Sequence, residues 1–321
     1  MTIRPKGVAV LLAITAAFSC VLWFVSGPCT ELIRSHGLVP DLPSDAPVHA
    51  FRLHAVSNAS GLALVERDGR QLVATVDEVD EWNGGPDVPP LITFSDRLTG
   101  ARVGGERHVA EFGEVEALAE RDGRLAFPYK TDRQAVVLRW GDQDIPVVTP
   151  AVIAALDAQS RAAGLQGALF YEFEGLAWHR GHWELLAAVV RPDVRETPSS
   201  TMAVTRLWFD GDGGLKAISP FFREATGGLY HDYAAALCVV GDDLAVVPGF
   251  FSHGVTLFDR DGRIAHHLDL PTTRVEGVAY DALAQELFLV RECVGEGSGC
   301  GAGVHFGVTL WVASIKLESA L

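Results

Sequence analysis

Short apolar runs separated by tight polar turns recur along most of this chain. In one example, apolar residues at 62–65 and 72–74 flank Asp68-Gly69. An Asp-Gly or Gly-Asp pair between two apolar runs is a strong signal for a β-hairpin. Five units of this kind follow one another at intervals of 41 to 61 residues, which indicates a repeat architecture. The units begin at Ser60, Glu116, Glu174, Ala235 and Glu276.

A second apolar hairpin follows each unit, as at residues 205–214. Two hairpins make a four-stranded antiparallel sheet, and five such sheets predict an all-β, five-bladed β-propeller. The last unit lacks a full outer strand, whereas residues 48–53 read as a strand without a hairpin partner. We expect this N-terminal strand to complete the last blade, because closing the ring removes an exposed sheet edge.

One helix is predicted between the second and third blades. Thr149 is typical of an N-cap, Pro150 of a first helical turn, and Gly164 of a helix end. The apolar stripe of this helix would consist of Val152, Ile153 and Leu156.

The composition favours a folded protein and argues against nucleic-acid binding. Hydrophobic residues make up 48% of the 321 residues, and Gly and Pro are frequent, as in turn-rich β proteins. The net charge of −15 offers no basic footprint for a phosphate backbone. Cations or cationic groups are better matched partners.

The N-terminus predicts export. Residues 8–25 are apolar and uncharged, just long enough to span a bilayer, and they follow Arg4 and Lys6. The segment is either a retained anchor with its basic end in the cytoplasm or a cleaved signal peptide. Both place the remainder outside the cytoplasm, as a membrane-anchored periplasmic or extracellular protein or a secreted one. The expected division is 1–27 for the anchor or signal segment, 28–47 for a proline-rich linker and 48–321 for the propeller, which we expect to be a monomer.

The cysteines suit an oxidising compartment. Cys293 and Cys300 bracket a glycine-rich loop that a disulfide could close. Zinc binding by this pair with His305 is an alternative, but no second Cys or His pair has matching spacing. Cys238 lies in an apolar strand and is predicted to be a buried thiol.

Equivalent positions in the repeats predict a cluster of carboxylates at one end of the channel. Aligning the inner strands brings Glu116, Glu174 and Glu276 to one level. Like charges around an axis repel unless something compensates them, and Ca²⁺ accepts many oxygen ligands in flexible geometry. A Ca²⁺ site formed by these three glutamates is therefore one interpretation. In the alternative interpretation, these glutamates form salt bridges with Lys130 and Arg191 and only tie the blades together.

The same end of the channel carries further residues that are candidates for ligand binding. The second strands of the units end in residues that we expect to contact a ligand: Asp77, Lys130, Arg191 and Glu292.

Two sets of histidines are also candidates. His231 and Asp232 enter the fourth blade on the face that carries the predicted glutamate cluster, and they could act as a catalytic base or as ligands. His179, His182 and Glu184 lie on a hairpin predicted for the opposite face, as a metal site or as solvated surface.

The inner-strand starts Glu174-Gly-Leu-Ala and Glu276-Gly-Val-Ala, with Leu287-Phe-Leu-Val-Arg-Glu292, resemble the phytase-like esterase propellers. The resemblance implies a calcium-assisted phosphoester or ester hydrolase. Glu174 and Glu276 match the acidic residues of the family pattern, whereas Ser60 and Ala235 depart from it.

The expected function is binding of a small molecule or divalent cation at the channel mouth, with phosphoester, ester or lactone hydrolysis as the associated activity. The alternative is a non-catalytic platform that docks another cell-envelope protein, since a fold does not fix a function.

Overall fold

A computed structural model describes residues 48–53, 59–77, 91–103, 107–108, 115–131, 135–162, 169–190, 200–226, 236–241, 243–247, 254–258, 264–269, 275–291 and 310–316. These residues form five four-stranded antiparallel sheets and one helix. The arrangement is that of a β-propeller.

The sheets are numbered by their order along the chain, and the strands of each are given from the inner to the outer edge. Sheet 1 consists of β2 (Ala59–Arg67), β3 (Arg70–Asp77), β4 (Leu91–Asp96) and β5 (Arg107–His108). Sheet 2 consists of β6 (Ala119–Arg121), β7 (Arg124–Lys130), β8 (Val136–Trp140) and β9 (Gln143–Val148). Sheet 3 consists of β10 (Phe170–His179), β11 (His182–Val190), β12 (Ser200–Phe209) and β13 (Leu215–Thr226). Sheet 4 consists of β14 (Ala236–Val240), β15 (Asp243–Val247), β16 (Gly254–Phe258) and β17 (Ile264–Asp269). Sheet 5 consists of β18 (Val275–Asp281), β19 (Glu286–Arg291), β20 (Leu310–Lys316) and β1 (Val48–Leu53).

Asp-Gly turns set the first hairpins of sheets 1 and 2. Asp68 and Gly69 have φ of 52° and 70°, and Asp122 and Gly123 have φ of 52° and 74°. Two consecutive residues with positive φ match the twist of antiparallel strands, and Asp-Gly adopts this geometry readily. The hairpins predicted from these pairs are confirmed.

The last sheet is completed by the N-terminal strand, as predicted. β1 pairs with β20 in antiparallel register, from Val48 opposite Ile315 to Leu53 opposite Leu310. The innermost strands contact one another in the cycle β2, β6, β10, β14, β18 and back to β2. Arg97 of sheet 1 also bonds to Asp281 of sheet 5. The first and last sheets are therefore joined by backbone contact and by an ion pair.

The predicted helix is confirmed and packs beside the third sheet. Helix α1 (Pro150–Ala162) begins after Thr149, whose carbonyl accepts a hydrogen bond from the Ile153 N–H at 3.0 Å. Val152 and Leu156 are buried, and Ile153 is partly buried against the same core. Gly164, the predicted end, lies outside the described residues.

Helix α1 is held to the start of β10 by a tyrosine. The Tyr171 hydroxyl donates to Asp157 Oδ1 over 2.7 Å, and desolvation raises the pKa of Tyr171, so it remains a donor at neutral pH.

Aromatic packing joins sheets 2 and 3. Trp183 is fully buried, and Trp178 and Trp140 pack edge-on against it. The Arg121 guanidinium lies 3.6 Å from the centre of the Trp178 ring and 4.0 Å from that of Trp140. Such cation–π contacts add to the hydrophobic stabilisation of the interface.

Small residues permit the innermost strands to approach closely. A Cβ atom on Gly277 would lie 2.8 Å from the main-chain nitrogen of Leu62, and one on Gly175 would lie 2.7 Å from Leu237 Cβ. The pairing register shifts at Gly175 and Gly277, and likewise at Gly61. Such irregularities bend a strand locally and increase its twist.

The predicted anchor or signal segment (1–27) and linker (28–47) lie outside the described residues. Within the described residues, no helix has the length and apolar character required to cross a membrane.

We predict that Gly277→Ala destabilises the protein by about 1–3 kcal/mol, because the added methyl group meets backbone that cannot move without displacing β2. Urea unfolding followed by fluorescence measures the change.

The control is Ala117→Gly at the equivalent position of sheet 2, where alanine is already accommodated. It should cost no more than about 1 kcal/mol. Equal losses in the two variants would contradict the close approach at Gly277.

Candidate functional site

The repeated sequence of each inner strand corresponds to successive levels along the central channel. A residue at the carboxylate level is followed by Gly or Ala, then by Leu or Val, then by Ala or Cys. Because the same four-residue order recurs at or just before the start of each inner strand, equivalent side chains of the five units come together around the channel. Residues of the repeated sequence motif therefore line the channel.

The third level closes the channel with a ring of aliphatic side chains, none more than 4% exposed. This aliphatic ring consists of Leu62, Leu118, Leu176, Leu237 and Val278. It borders a small cavity on the carboxylate side and a chamber of about 200 Å³ on the other side. The chamber exists because the next level holds only small side chains: Ala63, Ala119, Ala177, Cys238 and Ala279.

The three glutamates predicted to share a level line one cavity. Glu116 precedes β6, Glu174 lies in β10 and Glu276 lies in β18, and all three border a space of about 10 Å³ above the aliphatic ring. A space of this size holds about one water-sized particle. The structure therefore brings together the residues of the predicted calcium site, while their role as metal ligands remains a prediction.

A fourth carboxylate, Glu172, belongs to the same cluster and was missed by the sequence analysis. Oxygen atoms of Glu116, Glu172 and Glu174 all lie within 4.8 Å of one another. Glu172 is two residues before Glu174 on β10, and residues at this spacing point to the same side of a strand. That spacing was the available signal, but the repeat alignment considered only one position in each unit.

Lys130 bridges two of these carboxylates. Its ammonium group donates to Glu116 Oε1 at 2.9 Å and to Glu172 Oε2 at 2.5 Å. Lys130 is the last residue of β7, so the bridge joins sheet 2 to sheet 3. The predicted salt bridge between Lys130 and a channel glutamate is therefore present.

Glu174 is the most strongly perturbed carboxyl of the cluster. Only 5% of the residue is exposed, and the described residues make no hydrogen bond to its side chain. Burial raises its pKa well above the ordinary value, and the negative charges of Glu116 and Glu276 raise it further. Lys130 opposes this shift only partly. The cavity thus favours a proton or another cation on Glu174.

The structure describes only some of the other residues that the sequence analysis singled out. Asp77 is the last residue of β3, at the strand end that corresponds to Lys130 in β7, and its side chain is not described. Cys238 is a buried free thiol, as predicted, and burial raises its pKa. The remaining predicted residues, Arg191, His231, Asp232, Glu292, Cys293, Cys300 and His305, lie outside the described residues.

The expectation of solvated surface for the second histidine set is wrong. Glu184 is 1% exposed and His179 is 8% exposed. Glu184 Oε1 lies 2.8 Å from His179 Nδ1 and 3.4 Å from His182 Nε2, and its Oε2 lies 3.6 Å from Arg206 Nε. The sequence placed these residues on a hairpin but could not show that the carboxylate is buried among them. The group is a buried ionic network within sheet 3.

We predict that Glu174→Gln stabilises the protein at pH 8 and that this advantage shrinks as the pH falls towards 4.5, the ordinary value of a glutamate pKa. The folded protein retains a proton that the unfolded chain releases near this ordinary value, so wild-type stability falls as the pH rises above it. Glutamine removes the buried charge and therefore this dependence. Urea unfolding midpoints between pH 4 and pH 8 provide the measurement.

The exposed Glu66 offers a control, since Glu66→Gln should leave the stability profile unchanged. A stability difference between Glu174→Gln and wild type that is constant across this pH range would contradict the buried charge.

No protein-family model and no curated protein matches this sequence. Among solved structures, the chain is similar to a luciferin-regenerating enzyme, with 9% identity, a TM-score of 0.44, and coverage of 85% of this chain and 96% of that one. It is also similar to the calcium-binding protein regucalcin from Agrobacterium tumefaciens strain C58, with 11% identity, a TM-score of 0.41 and coverage of 87% and 97%. The WD40 repeats of RRP9 match with 12% identity, a TM-score of 0.38 and coverage of 84% and 99%. These neighbours are β-propeller proteins, and the likeness is one of architecture.

Proposed function

We propose that this chain is a five-bladed β-propeller that binds a divalent cation at the carboxylate end of its channel. The observation that carries the proposal is the buried carboxylate of Glu174, which borders the cavity among the oxygens of Glu116 and Glu172. Lys130 compensates Glu116 and Glu172, whereas it donates no hydrogen bond to Glu174, so the charge of the Glu174 carboxylate favours a further cation. A bound cation would offset both the burial of Glu174 and the negative charges of Glu116 and Glu276, which together raise the pKa of Glu174.

The chemistry of the cluster favours Ca²⁺. All candidate ligands are carboxylate oxygens, which hard cations prefer, and oxygens that lie within 4.8 Å of one another can surround one ion with bonds of about 2.3–2.6 Å. The cluster described here contains no histidine or cysteine that would favour zinc. The overall charge of −15 also attracts cations to the molecule.

We further propose an extracytoplasmic protein with a calcium-assisted hydrolase activity towards phosphoesters, esters or lactones. Export is supported by the apolar segment 8–25. The activity is supported by the resemblance of the inner-strand starts to phytase-like esterase propellers. A calcium ion in the cavity would polarise the substrate oxygen and lower the pKa of bound water. His231 and Asp232 are the residues that we propose as the catalytic base.

The alternative of a non-catalytic platform is favoured by one observation. Lys130 already pairs with Glu116 and Glu172 across two sheets, as expected if the glutamates only tie blades together. In that case the channel residues stabilise the fold and another surface binds a partner.

We predict that Ca²⁺ binds wild type and raises its unfolding temperature, and that Glu174→Gln lowers the Ca²⁺ affinity at least about tenfold. Isothermal titration calorimetry and thermal unfolding at pH 7.5 measure the two effects. At one hundred times Kd, a single site stabilises by about 2.7 kcal/mol. Because Glu174→Gln is expected to be more stable than wild type at this pH, lost binding cannot be attributed to misfolding.

Glu66→Gln serves again as the control and should bind as wild type does. Equal Ca²⁺ affinity in wild type and Glu174→Gln, or no binding in either, would exclude a site at this cavity.

Turnover separates the enzyme from the platform. We predict Ca²⁺-dependent hydrolysis of at least one substrate in a panel of phosphomonoesters, phosphodiesters, carboxylic esters and lactones, with loss of rate in His231→Ala. Calcium binding without turnover of any substrate would favour the platform.

A further inference from the structure

Lys130 forms hydrogen bonds with the carboxylate cluster through its ammonium group. Its ammonium group contacts two of the three residues whose oxygens could hold a metal. The third, Glu174, is buried, borders the cavity and receives no hydrogen bond from the described residues. Within the described part of the chain, the Lys130 ammonium thus contacts Glu116 and Glu172 but donates no hydrogen bond to Glu174.

A divalent cation among these oxygens could not coexist with the ammonium in its present position. Glu116 Oε1 and Glu172 Oε2 each hold the ammonium at 2.5–2.9 Å. A calcium ion bound to the same carboxylates would lie within a few ångströms of that ammonium, where like charges repel strongly in a partly buried site. The two cations must compete for the same oxygens.

The location of Lys130 allows it to leave. It is the last residue of β7, and 23% of its side chain is exposed, so rotation about its flexible stem carries the charge into water without moving the strand. Glu172 is 33% exposed at its side chain and can follow an incoming ion. Glu174, which borders the cavity and is 5% exposed, has less freedom to move.

We propose that Lys130 is a built-in counter-ion that a divalent cation displaces when it binds. This inference rests on the cation site proposed above. In the cation-free protein the ammonium holds sheets 2 and 3 together, and in the loaded protein the metal makes the same connection through Glu116 and Glu172. Lys130 thereby sets the cation concentration at which the site fills, and its released ammonium is then available to an anionic ligand at the channel mouth.

We predict that Lys130→Met binds Ca²⁺ at least tenfold more tightly than wild type, because the competing charge is gone while the length of the side chain is kept. Lys130→Arg, which keeps the charge, should bind about as weakly as wild type. Lys216→Met is the matched control, since it removes one positive charge from an exposed pair with Asp210 in sheet 3, and its affinity should equal that of wild type. Isothermal titration calorimetry with CaCl₂ on the full chain gives the three ratios.

Stability provides a second measurement if Lys130→Met folds poorly. Without Ca²⁺ this variant should unfold at a lower temperature than wild type, because the carboxylates lose their counter-ion, and Ca²⁺ should raise its unfolding temperature more than it raises that of wild type. Equal or weaker Ca²⁺ binding by Lys130→Met, when wild type does bind, overturns displacement and leaves the cation site standing. No Ca²⁺ binding by wild type or by either Lys130 variant overturns both proposals.

Discussion

The close approach of five edge strands around one axis is the constraint on which the rest of this structure depends. Main-chain atoms of neighbouring inner strands come so near that a single methyl group on Gly277 would collide with Leu62. Because the strands lie so close together, the side chains of the aliphatic ring pack tightly, and the cavity on their carboxylate side has room for about one water molecule. Carboxylates carried on the same strands are therefore forced into mutual range, and their electrostatics follow from backbone geometry.

Much of this architecture could be predicted because local and global signals agree. The Asp-Gly turns fix hairpins by positive φ, the recurring Leu-Ala and Val-Ala pairs fix the inner strands, and Thr149 with Pro150 fixes the start of the helix. Each signal lies within a few residues of the feature it determines. The pairing of β1 with β20 is a long-range contact, yet it was predictable because an unpaired strand and an incomplete sheet are complementary.

The site was only partly predictable, since its details depend on contacts between sheets. The shared level of Glu116, Glu174 and Glu276 follows from repeat alignment, whereas Glu172, two residues before Glu174 on β10, lies outside the aligned position. The pairing of Lys130 with Glu172 crosses from one sheet to the next, and no local pattern specifies it. Burial of Glu184 beside two histidines likewise depends on packing that spacing along a strand does not encode.

The aliphatic ring has a consequence for transport. Five hydrocarbon side chains seal the axis between the carboxylate cavity and the chamber below it. A hydrated ion that enters from the acidic end would have to shed its water against hydrocarbon to go further, which is prohibitively unfavourable. The aliphatic ring thus separates two spaces along the axis, and the channel does not conduct ions. A solute that reaches the glutamates has to leave through the opening by which it entered.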